Sequence, residues 1–496
     1  MPDHLMFLSG QRTPGDPRPL LAPGTAPPST PLGNIHYASA QQIDQAVAAM
    51  VAVFPELRRQ TRYQRYETCA TVHRLLIARQ EDFARTIALE AGKPIKTARG
   101  EVARAITTFR LAAEEATRFA GEQLPVDIDA RSQGYSAIIE RVPIGPCSFI
   151  TPFNFPLNLV AHKVAPALAA GCPFVVKPSE RTPLTALLLG ELLAETKLPP
   201  GSWHILPADR TPASALITDD RINLLSFTGS PDVGWKMKAA AGRKTVILEL
   251  GNNSAVIVEP DTNLADAIPR IVTAAFGYAG QSCISVQRIF LHDAIADEAT
   301  RLLIAQTKAL KRGDVLDEST DIGPMIDEPA AIRLEEWIAE AVQSGADALV
   351  GGPRHGSYYP PTLLEYPGVA RQKGAMAVSN GHADAPPPTF RLACKEAFGP
   401  VALIERYRDF PDALVRVNAT DYGLQAGVFT GDLAKARLAF DTLQVAAIII
   451  NDVPTLRIDA MPYGGLAGKN SGLGREGPKY AMEHMTERKL LVARLT

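Results

Sequence analysis

Three side chains in this sequence have the types that chemistry needs, and each sits where a regular pattern gives way to a loop. Cys283 closes the segment YAGQSC, after a helical pattern ending at GYAG and before an apolar run beginning at ISVQ. A loop at that junction lets a side chain face a cleft. A thiol is a strong nucleophile near neutral pH, and its acyl product is easily hydrolysed. Glu249, in LELG, ends an apolar run and precedes Gly251, so its carboxylate can lie at a strand end. Partial burial beside apolar neighbours would tune such an acid for proton transfer. Asn154, in TPFNFP, lies just past another strand end. An amide N–H there could donate to an oxyanion. Each residue also has a plainer reading: a buried structural thiol, an exposed strand-end acid, an asparagine in a turn between prolines. Residue type alone leaves both readings open.

These positions need elements to hold them. QQIDQAVAAMVAVF puts Ile43, Val47, Met50, Val51 and Phe54 on one helical face. Helical periodicity continues through YETCATVHRLLIARQEDFARTIALEAG to Gly92 and returns over IKTARGEVARAITTFRLAAEEATRFAG. The texture then changes. GYSAIIERV (134–142) reads as an exposed strand, and PCSFIT and CPFVVK as short strands of the buried parallel kind, with the helical NLVAHKVAPALAAG between them. TALLLGELLAET as helix, then GSWHIL and LLSFTGS as strands, extend the alternation. That order predicts an α/β doubly wound sheet. From residue 244 the pattern resets with KTVILEL, AVIVEP, the helix LADAIPRIVTAAFGYAG and the strand CISVQRIFLH. Residues 301–430 repeat helix and strand, as a second α/β domain would. Residues 11–33, rich in Pro, Gly and Thr, read as an irregular lead-in, and 371–390 as a Pro-rich surface insertion. The tail MTERKLLVARLT reads as one last strand.

Composition narrows the function. A chain of 496 residues exceeds what one core serves, so two or three domains are expected. Lys plus Arg is 51 against 53 Asp plus Glu, which removes the electrostatic reason for a nucleic-acid or anionic-membrane partner. The first residues show no basic region followed by an apolar run, and no stretch approaches the roughly 20 apolar residues of a spanning helix. The 5 cysteines lie far apart, without a CxxC pair or metal-type spacing. They read as reduced thiols in a cytoplasm, with no metal.

A series of segments carries a specific resemblance. TPFNFP (151–156), FTGS (227–230), LELG (248–251), YAGQSC (278–283), KEAFGPV (395–401), MPYGG (461–465) and SGLGREG (471–477) together resemble the NAD(P)-dependent aldehyde dehydrogenase superfamily. The match holds in order and approximate spacing from about residue 40 on. It implies an α/β fold with a Rossmann-type cofactor domain (1–124 and 145–250), an α/β catalytic domain (251–465) and a β oligomerisation arm (125–144 and 478–496). A homodimer or homotetramer would follow from the open strand edges of such an arm. The same resemblance makes Cys283 the nucleophile, Glu249 the base that activates water, and Asn154 with the Cys283 N–H the oxyanion donors. Lys177 and Glu180 would meet the adenosine ribose, where Glu180 favours NAD, with NADP as the alternative. Gly229 and Ser230 would present helix-start N–H groups to a pyrophosphate. Glu396 and Phe398 would hold the nicotinamide ribose and shape its pocket.

VPTLRIDAMPYGG resembles the branch acting on small hydroxy- or carboxy-substituted aldehydes such as lactaldehyde and semialdehydes. Arg457 there could pair with a substrate carboxylate or phosphate; equally it could form a structural salt bridge or face solvent. The sequence departs from the family pattern in three places. Asn252 stands where a second glycine is usual, GGLAGKNSG runs two residues long around 466–470, and 371–390 is inserted. Two other functions compete with aldehyde oxidation by water. Acyl transfer to coenzyme A is disfavoured by Glu249, and a catalytically idle scaffold by the complete Cys283, Glu249 and Asn154 set.

Overall fold

The computed structural model describes residues 2–24, 31–366 and 389–495. Most of the proposed insertion at 371–390 lies outside them. Four helices follow the short strands at the start of the chain. Ser39 and Gln42 cap Ala40–Arg59 reciprocally, and Thr61 and Gln64 do the same for Arg62–Ala78. The long helical run predicted up to Gly92 therefore divides, restarting as Gln80–Ala91 and ending on Gly92 at φ 65°. Ile95–Arg118 follows and packs on the wholly buried helix Asn158–Ala170.

The first large sheet has eight strands. Across it lie Gly472–Leu473, Thr245–Glu249, Leu224–Thr228, Cys147–Ile150, Phe174–Lys177, Trp203–Ile205, Met6–Leu8 and Gln11–Thr13. The five central strands are parallel, Gly472–Leu473 and Met6–Leu8 flank them antiparallel, and Gln11–Thr13 pairs antiparallel with Met6–Leu8. From Cys147–Ile150 the chain steps outward in one direction through Phe174–Lys177 and Trp203–Ile205. It then returns to the other side for Leu224–Thr228 and Thr245–Glu249. The order reverses between Ile150 and Thr228, and such a reversal opens a crevice at the carboxyl ends of the strands.

The second sheet runs Asp347–Val350, Thr362–Tyr366, Val401–Tyr407, Arg288–His292, Ala255–Val258, Gln425–Phe429 and Ala447–Ile450. All are parallel except the first. Only residues 250–254 separate the two sheets in the chain, so the carboxyl end of one is delivered to the amino end of the other.

Thr486–Arg494, Tyr135–Pro143 and Glu122–Leu124 form a separate antiparallel sheet. Glu122–Leu124 thus pairs with the arm, although the sequence reading ended the cofactor segment at 124. The lead-in is also more ordered than its composition predicted. Gln11–Thr13 joins the first sheet, and Asp16–Leu21 pairs with Pro31–Tyr37. Pro17 and Pro19 survive in Asp16–Leu21 because that strand lies at the sheet edge, and Pro31 because it is the first residue of its strand.

Among the described residues no helix is long and apolar enough to cross a membrane, and no His, Cys, Asp and Glu cluster could hold a metal ion.

Gly472 is the tightest point in the joint beside Glu249. It has φ 136°, and a Cβ there would lie 2.0 Å from the Leu248 carbonyl oxygen. Gly472→Ala should cost about 1–3 kcal/mol by overpacking, read as a lowered denaturant midpoint. An unchanged midpoint would contradict the packing argument.

Candidate active site

The loop carrying Cys283 is built from an unusual backbone. After the helix Leu264–Phe276, Tyr278 and Ala279 both take φ 51° and Gly280 takes φ 64°. Consecutive left-handed residues are costly for side chains other than glycine and occur where surrounding packing holds them. Here the packing is close. A Cβ on Gly280 would lie 2.1 Å from the Gly399 carbonyl oxygen, so the loop rests directly on the KEAFGPV segment. The next strand begins at Arg288 rather than at Ile284, which leaves Cys283 on a loop.

Cys283 is half-buried, and its Sγ lies 3.0 Å from the Tyr463 hydroxyl. Burial pushes the thiol up to about 12, against the lowering effect of the Tyr463 contact. The resting group near neutral pH is a thiol, and attack requires a base. Of the remaining cysteines, Cys69, Cys147 and Cys172 are buried as expected of structural thiols, whereas Cys394 is only half-buried.

Glu249 ends its strand 2% exposed, and neither carboxyl oxygen has a hydrogen-bond partner. Burial raises its pKa well above the ordinary carboxylate value. The like charge of Glu476 adds to this, and Arg457, Lys163 and Arg475 oppose it. A buried carboxyl with free lone pairs and a raised pKa is poised to exchange a proton. Room for it is kept by Gly464, where a Cβ would lie 2.9 Å from Glu249 Oε1.

Asn154 is buried too. Its side-chain amide donates to the Gln281 carbonyl at 3.1 Å, and its Oδ1 has no partner. The amide therefore reaches the Cys283 loop two residues before the thiol. Asn154, Glu249 and Cys283 come together from two strand ends of the first sheet and one loop of the second.

The cofactor-type positions divide. Lys177 ends its strand buried, its Nζ 3.7 Å from Glu180 Oε1, and Glu180 is exposed. Gly229 spends its N–H on the Glu249 carbonyl at 3.0 Å, so this N–H is not free for a phosphate. The residue is glycine for packing, because a Cβ would meet the Phe227 ring at 2.4 Å. Ser230 is the N-cap of Pro231–Ala240 and makes no side-chain cap; Pro231 has no N–H, so the uncapped helix-start donors are the Asp232 and Val233 N–H groups. Along the same crevice Thr151 Oγ1, Thr228 Oγ1 and Trp235 Nε1 are buried without partners. Unpartnered donors beside a helix start suit a long polar ligand with phosphates, so the residues present fit a dinucleotide.

Glu396 accepts the Asn252 N–H at 3.0 Å, and burial lifts its pKa to about 7. Phe398 takes φ 49° and meets the Phe153 ring edge-on at 5.8 Å. Asn252 does not take a left-handed backbone conformation. It is a buried connector, donating to Ser254 Oγ at 2.6 Å and accepting from the Leu424 N–H at 3.4 Å.

Sequence reading missed several contributors. Gln287 brackets Glu396, donating to the Lys395 carbonyl at 2.6 Å and accepting from the Ala397 N–H at 2.9 Å. Lys163 donates to Glu476 at 2.8 Å and to Ser226 at 2.8 Å. Arg457 donates to the other Glu476 oxygen at 2.9 Å and stacks 3.8 Å over the Tyr463 ring. It is buried in a salt bridge rather than facing solvent. MPYGG and SGLGREG contained Tyr463 and Glu476, but nothing in their spacing tied either to residues 163, 283 or 457. The longer segment near 466–470 docks on 420–423, through Leu466 N–H to Gly423 O and Asn470 N–H to Asp421 O.

Since Cys283 titrates far above neutrality, iodoacetamide labelling of the cofactor-free protein should accelerate about tenfold per pH unit from 7 to 9, with Cys283→Ser as blank. A plateau near pH 7.5 would mean that the thiol is already ionised.

The chain is similar to known proteins over nearly its whole length. The aldehyde dehydrogenase family profile matches residues 22–374 and 382–491. A 3-sulfolactaldehyde dehydrogenase of Priestia aryabhattai is 42% identical over 94% of this chain and 93% of its own. A lactaldehyde dehydrogenase of Methanococcus aeolicus is 37% identical, covering 86% of this chain and 87% of its own. Aldehyde dehydrogenase 21 of Physcomitrella patens, solved with the reaction product succinate, is 44% identical. It superimposes with a TM-score of 0.92, covering 100% of this chain and 98% of that one. The glyceraldehyde-3-phosphate dehydrogenase of Methanocaldococcus jannaschii, complexed with NADP, is 33% identical at a TM-score of 0.87, covering 96% and 99%. Matched over nearly its whole length by the family profile and by relatives 37% to 44% identical, the chain belongs to the aldehyde dehydrogenase family of NAD(P)-dependent oxidoreductases.

Proposed function

We propose that this protein oxidises a small polar or anionic aldehyde to its carboxylic acid, with Cys283 as nucleophile, Glu249 as base and Asn154 as oxyanion donor. One observation carries the reading: Glu249 is buried with both oxygens unpartnered, close enough for its charge to act on Cys283. A carboxyl so placed can take a proton and later return it. Its presence favours water over coenzyme A as the acceptor.

In this reading Cys283 gives up its proton to solvent water and adds to the aldehyde carbon, forming a thiohemiacetal, which leaves Glu249 free to act as base at hydrolysis. The Asn154 amide turns from the Gln281 carbonyl to the developing oxyanion, beside the Cys283 N–H. Bound NAD(P) supplies the hydride acceptor. Lys177, Glu180, Ser230, Glu396 and Phe398 would hold it, with Gly229 contributing shape rather than an N–H. Glu180, exposed and near Lys177, favours a free ribose hydroxyl and hence NAD. Glu249 then deprotonates a water that hydrolyses the Cys283 thioester, and the acid leaves.

The relatives named above act on, or were solved with, small oxygenated or anionic compounds. Arg457, stacked on the tyrosine that touches Cys283, supplies a nearby positive charge for such substrates, shared with Glu476. We also propose residues 1–124 with 145–250 as cofactor domain, 251–465 as catalytic domain and a cytoplasmic setting. The unbridged Cys69, Cys147, Cys172 and Cys283 support that setting. The edge strand Thr486–Arg494, with Leu490 and Leu491 more than half exposed, supports a dimer or tetramer. Light scattering of the purified chain checks this, and a monomer contradicts it.

Glu249→Gln should still release about one equivalent of NADH per site and then turn over roughly 10²–10⁴-fold more slowly, because general-base catalysis is lost at hydrolysis. Loss of the first equivalent as well would assign Glu249 to thiol activation. Cys283→Ala should release none. With wild-type protein, activity should climb from neutral pH toward 9, as both raised groups give up protons more readily. Comparing succinic semialdehyde, lactaldehyde and hexanal tests the substrate class; a clear preference for hexanal would refute it.

A further inference from the structure

The described residues include a basic side chain that is buried without contact to solvent and has no part in the chemistry above. Lys93 has 0% exposure and lies just after the left-handed Gly92 that ends an opening helix. Taking an ammonium out of water is costly unless each of its donors is satisfied. Here the partners are few and specific. Nζ donates to the Glu101 carboxylate and, at 2.7 Å, to the main-chain carbonyl of Asn154. It also lies 3.9 Å from the centre of the Phe155 ring and 4.3 Å from that of Tyr278, two faces that attract a desolvated cation.

Those partners belong to both halves of the site. The second Glu101 oxygen accepts the N–H groups of Leu157 at 2.9 Å and Asn158 at 3.1 Å, where the helix Asn158–Ala170 begins. The Lys93–Glu101 pair therefore grips the chain at Asn154 and again at 157–158, fixing the turn from which the Asn154 side chain projects. On the other side, Tyr278 is the first left-handed residue of the Cys283 loop. Its hydroxyl donates to the Ala91 carbonyl at 3.1 Å, and its own carbonyl accepts the Gln281 N–H at 3.1 Å. Gln281 in turn presents the carbonyl that receives the Asn154 amide. The path is closed: Lys93 to Asn154, Asn154 to Gln281, Gln281 to Tyr278, and the Tyr278 ring back to Lys93.

We infer that Lys93 is a positioning residue for the reaction: its buried ammonium locks the Asn154 turn against the Cys283 loop, so that the amide meets the oxyanion formed on the nucleophile. The inference rests on the reading of Asn154 as oxyanion donor. Lys93 touches neither substrate nor cofactor, so it acts through the placement of that amide. Displacing a catalytic group by about 1 Å costs on the order of a hundredfold in rate.

A double-mutant cycle on the full-length protein separates positioning from mere stability. In the wild-type background Lys93→Met should lower kcat about a hundredfold, while the dissociation constant for NAD, read by fluorescence quenching, stays within about twofold. In an Asn154→Ala background the same change should cost less than about threefold, because the group it positions is gone. Equal losses in the two backgrounds, or no loss in the first, would overturn the inference. A wild-type kcat for Asn154→Ala alone would instead remove the oxyanion reading on which it stands. If Lys93→Met does not fold, Phe155→Leu keeps the ammonium and removes one ring face. It should lower kcat several-fold, again only while Asn154 is present, and equal losses there count against the inference too.

Discussion

The site depends on one constraint of chain connection. Glu249 is the last residue of a strand in one parallel sheet and Ala255 the first of a strand in another, so residues 250–254 must bridge them without slack. The crevice at the carboxyl ends of the first sheet is thereby closed by loops at the amino ends of the second. Asn154, Lys177 and Ser230 come from the first set of ends, Cys283 and Glu396 from the second. Neither sheet holds a complete site. The bridge itself is pinned at several points: Leu250 N–H to Ser471 O, Asn252 N–H to Glu396, and Asn253 Nδ2 to Lys395 O. Small residues keep it close. A Cβ on Gly251 would lie 2.4 Å from the Glu396 carboxylate, so glycine there sets how near that acid can come.

Within the seam two buried carboxyls are driven to opposite states. Glu476 is gripped by Lys163 and Arg457, whose charges and hydrogen bonds hold its pKa down to about 2 despite burial. Glu249 has the same burial and no hydrogen bonds, and the fixed charge of Glu476 pushes it further up. Two titratable groups whose surroundings separate them in this way mark one as structural anion and the other as exchanger of protons. The same ion pair carries the Arg457 guanidinium over the Tyr463 ring, whose hydroxyl meets the Cys283 sulfur. A structural salt bridge and the Cys283 sulfur are thus one packed unit. An asparagine in the bridge follows the same logic of satisfaction. Asn252 replaces the usual glycine by filling its space with an amide that is hydrogen-bonded at both ends.

Much of this could be read from the chain. Apolar runs flanked by turn residues marked nearly every parallel strand, because strands buried on both faces leave no polar alternation to confuse. Cys283, Glu249 and Asn154 stood out as short motifs with chemistry-bearing side chains at element ends. The reading erred where local composition and long-range pairing conflict. By composition residues 11–33 read as irregular, yet Asp16–Leu21 within them pairs as an edge strand because Pro31–Tyr37 offers it a partner. Gly229 was assigned to a phosphate by its place before a helix, but its N–H is taken by Glu249 O, a pairing visible only when neighbouring strands are laid side by side.

The order of residues alone determined which elements form and which side chains can react, since both follow from local periodicity and residue type. Tertiary structure alone decided the protonation states and the alignment of those side chains. Lys163, Lys93 and Glu101 carry no signal in a linear scan, because a buried charge is defined by what surrounds it. The partners that make it tolerable come from positions as far apart as 163 and 476, or 93 and 278. Distance along the chain is what folding abolishes, and the chemistry of this site was assembled from that loss.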